Sequence, residues 1–387
     1  MYSSIIRSTV RTPLSISSHP LSSSLIPSSL STSLITSSTS FFSTASTTPV
    51  SPSPIDNTTA TVSIPFNWQN DLTNYSRALV RGLAPNFASE ALRQIKDPNP
   101  TTAIKIDQNT AELQHQQYIT ILKKCIKEVI IIPPVANGAD SVFIEDTAVV
   151  VGNTALITRP GHPSRRIETE GTKNQFVQLG YNVQIMQSPA ILDGGDVLFT
   201  GKEFFVGLSR RTNEFGIETL RNTFPGFRVT TIPLTTLLPT TKITKKSSKQ
   251  KTSTKGNTNK SSSSTNTTVP VLHLKSICSM IGPDVIAITD NELGQAVAFY
   301  MQDYSSIPRS MREAGQRYRF LLVPDALASN NLFINGSIIT PSSFLCPESN
   351  KIIMDYANDE GYTVHEVDNS ELAKADGALT CCSILLK

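Results

Sequence analysis

The 387-residue sequence has no apolar run approaching the about 18 residues needed to cross a bilayer. Its longest such stretch, "VIIIPPV", is interrupted by two prolines. Cysteine is scarce, with five residues: Cys125, Cys278, Cys346, Cys381 and Cys382. An odd set without Cys-x-x-Cys spacing argues against a disulfide framework and for a reducing compartment. There, Asn-x-Ser/Thr triplets such as those at Asn57 and Asn335 carry no glycosylation signal. Acids are missing from two stretches. Residues 1–55 hold Arg7 and Arg11 and no acid, and residues 236–269 hold seven lysines and no acid. The chain as a whole is +3, so the remainder is −6. An acidic body suits a cationic small molecule better than nucleic acid or a membrane surface.

Each acid-free stretch has a composition of its own. The first is rich in Ser and Thr, and "SIIRSTVR" can form a short amphipathic helix. This matches a mitochondrial transit peptide, the alternative being a cytoplasmic protein with a disordered Ser-rich tail. The second, "KITKKSSKQKTSTKGNTNKSSSSTNTT", has too little apolar surface to fold. It reads as a disordered insert, 236–269, within one domain spanning 70–387. A reading in which this insert binds RNA or membrane, with no catalysis, is less favoured.

The rest of the chain repeats. "SVFIEDTAVVVGNTALIT", "LDGGDVLFTGKEFFVGLS", "HLKSICSMIGPDVIAIT" and "ASNNLFINGSIITP" each hold two strand-forming runs around a turn, and "GALTCCSILLK" ends in an apolar strand. Without the insert, these units recur about every 50 residues, with a helical pattern after each hairpin. The expected unit is two strands, a helix and a return strand. We expect closure into a ring, with "SRALVRGL" supplying the strands that the last unit lacks.

A closed ring places equivalent positions around one axis. Asp140, Glu145 and Asp146 lie in the first hairpin, and Asp193 and Asp196 at the entry to the second. His273 opens the third, and Cys381 begins the last strand. A thiolate is a nucleophile, an imidazole moves protons, and a carboxylate behind it fixes its orientation. The surplus carboxylates match a guanidinium, which offers paired hydrogen bonds. Alternation along a strand would turn one of Cys381 and Cys382 into the channel and the other away. His115, His162 and His365 read as surface or loop residues, and Cys382, Cys278, Cys125 and Cys346 as structural thiols.

The stretches "ALVRGL", "QHQQYI", "SVFIEDTAVV", "TALITRPGHPSRR", "LDGGDVLFTGKEFFVGLSRRTN", "LHLKSICSMIGP" and "DGALTCCSILL" together resemble the dimethylarginine dimethylaminohydrolases, from about residue 76 onward. The resemblance implies the five-bladed α/β-propeller (pentein) fold, ββαβ repeats around a central channel. It implies hydrolysis of methylated arginines to citrulline without a cofactor. An arginine deiminase or amidinotransferase of the same superfamily is the alternative. It assigns Cys381 as nucleophile, His273 as general acid/base and Asp193 as its orienting group. Asp140, Glu145 and Asp146 would hold the guanidinium. Arg165 and Arg211 would bind the α-carboxylate, with Leu92, Ala375 and Asp376 as further substrate contacts. No metal is required, although Cys381 and His273 could take an inhibitory zinc ion. The expected partner is a small cationic substrate, on a monomer or weak homodimer. If the leader reading is right, residues 1–55 fused to a fluorescent reporter will deliver it to mitochondria; a diffuse cytoplasmic signal would remove that reading.

Overall fold

Runs of Val, Ile, Leu and Phe broken by two-residue turns fold into hairpins, because the turn residues accept the backbone twist that the strands require. Asn335 and Gly336 show this, with φ of 50° and 80° in one of them. The structure, a computed structural model, describes residues 74–93, 104–237, 272–313, 315 and 317–387. The leader, and the insert from residue 238 on, lie outside the described residues. The described body belongs to the unit Ser63–Lys387.

The chain enters through β1 (Arg77–Arg81), crosses by α1 (Gln108–Cys125) and returns in β2 (Glu128–Ile132), parallel to β1. β3 (Ala148–Val151) and β4 (Thr154–Ile157) then pair antiparallel. α2 (Thr169–Gln178) leads to β5 (Asn182–Ile185), parallel to β4. The same order follows in β6 (Val197–Phe199), β7 (Glu203–Gly207), α3 (Glu214–Thr223) and β8 (Arg228–Ile232). It recurs in β9 (Cys278–Gly282), β10 (Val285–Thr289), α4 (Glu292–Tyr304) and β11 (Arg319–Val323). The next unit is β12 (Leu332–Ile334), β13 (Ser337–Pro341), α5 (Pro347–Glu360) and β14 (Thr363–Val367). Last comes β15 (Ser383–Leu386), antiparallel to β1 with Arg77 opposite Leu386 and Val80 opposite Ser383. The fifth ββαβ unit is therefore assembled from both ends of the body, as the repeat requires. The result is five three-stranded mixed sheets, the α/β-propeller expected.

A one-turn 3-10 helix precedes each inner strand: Ile144–Thr147, Gly194–Asp196, Leu274–Ser276, Ala326–Ser329 and Thr380–Cys382. The first touches the second, the second the third, the third the fourth, and the fifth returns to the first. The fourth reaches the fifth through the Thr380 N–H, which donates to Asn330 Oδ1 at 2.8 Å. Cys381 thus lies in a turn and not at the start of a strand, so strand alternation does not orient the two cysteines. The turn does so instead, and the Cys382 thiol points back to Ala378 O.

Burial drops at the return strand of each sheet. β9 and β10 are buried throughout, whereas the return strand β5 is largely exposed. Helices α1, α3 and α4 start on Asp107, Asn213 and Asn291, whose side chains accept N–H groups of the first turn, each worth about 1 kcal/mol. His115, expected at the surface, is buried, with its Nε2 2.9 Å from Arg81 O. Its helix position faces inward because α1 packs on β1, whose Arg81 is itself fully buried. His365 lies half-buried in β14. Among the described residues no helix is long and apolar enough to cross a membrane.

Closure depends on the face of β1 that meets β15. Leu79, fully buried opposite Ile384, is expected to cost about 2–5 kcal/mol on Leu79→Ala, measured by urea unfolding. Ile131→Ala, on the exposed return strand β2, should cost well under about 1 kcal/mol.

Candidate active site

Beside the first and fifth of the turns that precede the inner strands lies a cavity of 200 Å³, lined by Asp146 of the first and Cys381 of the fifth. Cys381 and His273 both line it, although their blades are not adjacent in the chain. Leu92, Asp140, Asp146, Arg165, Arg211, Ala375 and Asp376 line it too, so nine of the eleven expected site residues meet there. Asp193 is buried behind the imidazole, its Oδ2 3.0 Å from His273 Nε2. Its other oxygen accepts Gly161 N–H at 2.8 Å, and Arg211 Nη1 approaches Oδ2 at 3.8 Å.

The "DGGD" turn holds the histidine from both sides. A Cβ on Gly195 would stand 2.6 Å from His273 Nδ1, so the ring packs on bare backbone. Gly195 N–H donates to Asp146 Oδ1 at 2.8 Å. Asp196 accepts Leu274 N–H at 2.9 Å and the hydroxyls of Ser209 and Thr212, which fixes the segment that carries His273.

Arg165 is more deeply committed than expected of a residue that binds an incoming carboxylate. Nη1 donates to Asp146 Oδ2 at 2.5 Å and Nη2 to Glu168 Oε2 at 2.7 Å. Nε also donates to Glu168, and Nη2 to the carbonyls of Asp140 and Phe143. Arg211, with 16% of its side chain exposed, is the more accessible arginine. Both oxygens of Asp140 approach Leu92 N–H, at 3.1 and 3.3 Å, which ties the covering loop to the first hairpin.

Glu145 departs from its expected place, because it does not line this cavity. Its Oε1 accepts Lys275 Nζ at 2.5 Å and its Oε2 the Thr380 hydroxyl at 2.9 Å. It faces a second cavity of 540 Å³, lined by residues of all five inner strands. Its charge therefore sits behind the turn that holds Cys381 and outside the cavity that Cys381 lines. The cavity also includes Arg93, Phe143, His162, Leu272 and Gly377, which the sequence reading did not assign. Three of them, Arg93, Leu272 and Gly377, are chain neighbours of assigned residues, and that adjacency was the available signal. His162, placed on a surface loop by its sequence, lines the cavity because Pro163 turns the chain inward toward Arg165.

The donor atoms of Asp146, Asp193 and His273 lie within 4.8 Å of one another. Cys381 Sγ is not one of that group.

The electrostatics separate the two reacting groups. Burial, followed by Glu145 and Asp146, pushes the Cys381 thiol well above its ordinary range. Burial alone would lower His273, but Asp146, Asp193 and Asp196 outweigh it and raise the imidazole to about 9. Burial likewise opposes the charge on Asp146, yet His273 and Arg165 hold its carboxyl down at about 2. At neutral pH the resting site is a thiol beside an imidazolium. A guanidinium cation that enters would offset the carboxylates and ease ionisation of the sulfur.

A family model described as N,N-dimethylarginine dimethylhydrolase, eukaryotic, matches residues 89–242. The N(G),N(G)-dimethylarginine dimethylaminohydrolase of Streptomyces coelicolor is 29% identical over 313 residues, 80% of this chain and 97% of that protein. Human DDAH2 is 30% identical over 263 residues, 66% of this chain and 76% of that protein. The solved structure of a Pseudomonas aeruginosa dimethylarginine dimethylaminohydrolase, a cysteine-to-serine variant complexed with citrulline, superposes with a TM-score of 0.59 at 23% identity. It covers 81% of this chain and 99% of that one.

Ultraviolet titration of the ligand-free protein should find no Cys381 thiolate at pH 7, and a guanidinium ligand should move its ionisation to lower pH. A thiolate fully formed at pH 7 without ligand would contradict the burial and acid effects.

Proposed function

The chain belongs to the dimethylarginine dimethylaminohydrolase family, and from that premise we propose that it hydrolyses N-omega-methylated arginines to L-citrulline and dimethylamine or methylamine. The observation that carries this reading is one small cavity holding a thiol, an imidazole and side chains of both charge signs. Its 200 Å³ is below the about 300–1,000 Å³ of sites for drug-sized molecules, which suits a single amino acid. An arginine derivative is positive at one end and zwitterionic at the other. Asp146 and Asp140 offer acceptors to the cationic groups, and Arg211 offers a cation to the carboxylate. Asp140 is the acid with most to gain from a cation. Its hydrogen-bond partner is the neutral Leu92 N–H, and burial raises its pKa.

In the proposed reaction, the bound guanidinium eases loss of the Cys381 proton to solvent, and the resulting thiolate adds to the central guanidinium carbon. His273, held at Nε2 by Asp193, gives its proton to the departing amine nitrogen as that C–N bond breaks. A covalent thiouronium remains on sulfur. Water then attacks the same carbon, losing a proton to His273, and the C–S bond breaks to release citrulline and restore the thiol. Gly195 supports this by letting the imidazole sit against backbone in its working position.

The full-length protein incubated with asymmetric dimethylarginine should form citrulline and dimethylamine in equal amounts. Cys381→Ser should lower the rate by about 10³-fold or more. Ammonia from unmethylated arginine, with methylated arginines inert, would assign the chain to deiminase chemistry instead. An active Cys381→Ser variant would remove the nucleophile from the scheme.

A further inference from the structure

Every inner strand is preceded by an equivalent turn, and four of the five have been given a part in the site. The first supplies Glu145 and Asp146, and the second supplies Asp196, with Asp193 just ahead of it. The third follows His273 and contains Lys275, and the fifth contains Thr380 and Cys381. The fourth, Ala326–Ser329, delivers Asn330 to the same place in its blade. Asn330 is 2% exposed, and its amide is fully directed at two other blades. Nδ2 donates to Lys275 O at 2.8 Å and to Thr380 Oγ1 at 3.0 Å, while Oδ1 accepts Thr380 N–H at 2.8 Å.

Those contacts fall beside the reacting groups. Thr380 immediately precedes Cys381, and Lys275 follows His273 by two residues. The Thr380 hydroxyl continues to Glu145, whose other oxygen binds the Lys275 ammonium. Side chains and backbone of four blades thus form a closed hydrogen-bonded circuit. Two side chains bridge the histidine-bearing and cysteine-bearing segments within it: Glu145 from the first blade and Asn330 from the fourth.

We propose that Asn330 is a positioning residue, which sets the distance between the Cys381 sulfur and the His273 imidazole by clamping the two segments that carry them. The proposal rests on the reading that these two groups act on one substrate. Only a carboxamide meets all the needs of this place. It must accept from Thr380 N–H, donate to Lys275 O and to a hydroxyl, and carry no charge. A carboxylate would lack both donors and add a further negative charge near the thiol. An aliphatic residue would leave a buried N–H and a buried carbonyl without partners, each costing about 1–3 kcal/mol. Misplacing a reacting group by about 1 Å can cost about 10²-fold in rate.

A buried Asn with a purely structural role is the alternative, and the adjacent Asn331 provides the comparison. It is equally buried, its Nδ2 donates to Ala328 O, and its N–H to Ser279, so it touches neither reacting segment. In the full-length protein, Asn330→Ala should lower kcat on asymmetric dimethylarginine by about 10–100-fold, with KM within about threefold of wild type. Asn331→Ala should lose comparable thermal stability with kcat within about twofold. Asn330→Asp, nearly isosteric, keeps the acceptor and should fold even if the alanine variant does not; it too should lose kcat. Alkylation of Cys381 by iodoacetamide across pH, read from the peptide mass, needs no substrate. Its midpoint should move in Asn330→Ala or Asn330→Asp and stay at the wild-type value in Asn331→Ala. Unchanged kcat and an unchanged midpoint in the Asn330 variants, or equal kinetic effects at Asn330 and Asn331, would overturn the assignment. A wild-type protein that makes no citrulline would defeat the hydrolase reading alone, and the alkylation comparison would still decide the role of Asn330.

Discussion

The antiparallel pairing of β15 with β1 is the constraint on which the rest depends. Four blades are continuous in the chain, and a row of them would carry their turns along an open arc. Only when β15 joins β1 and β2 does the fifth turn come back against the first. That return brings Cys381 onto the cavity that His273 lines, and it brings Thr380 within reach of Glu145 and Asn330. The hydrophobic register of the closing pair, with Leu79 opposite Ile384, and the geometry of the site are therefore one structural event.

The second organising principle is pairing of buried charge. Isolated ions are costly at such depth, and several of the buried ones are paired. Arg165 spans Asp146 and Glu168, Lys275 takes Glu145, and His273 rests on Asp193. These pairs account for most of the charge that the sequence displayed as a cluster of acids. They also divide it. Glu145 and Glu168 neutralise protein cations, and Asp140 keeps a neutral partner and an interest in something positive.

Much of this was legible in the sequence because it is local or periodic. Turn residues such as Asn335-Gly336 announce hairpins, and a repeat of about 50 residues announces blades. Register within that repeat located His273, Asp193 and Cys381. What the sequence hid is the direction of side chains whose placement is decided by distant segments. Glu145 and Asp146 are adjacent, yet Asp146 lines the Cys381 cavity and Glu145 turns to Lys275 from another blade. His115 looks solvated among glutamines, but α1 rotates it onto Arg81 O. Arg165 reads as a free cation because nothing in "PSRR" shows that Glu168 and Asp146 will enclose it. Asn330 was open to the same register argument as the other turns. An amide simply carries no reactive signature that would draw attention to it.

The order of the strands along the polypeptide has a consequence for biosynthesis. β1 leaves the ribosome first among the described strands, and its partner on one side leaves last. Throughout translation of the intervening blades, the nascent body carries an unpaired edge of the kind that recruits foreign strands. It also lacks Cys381 during that interval, because this residue emerges just ahead of the closing strand. The completed Cys381 cavity and the covered β1 edge are thus acquired together, in the last moments of synthesis.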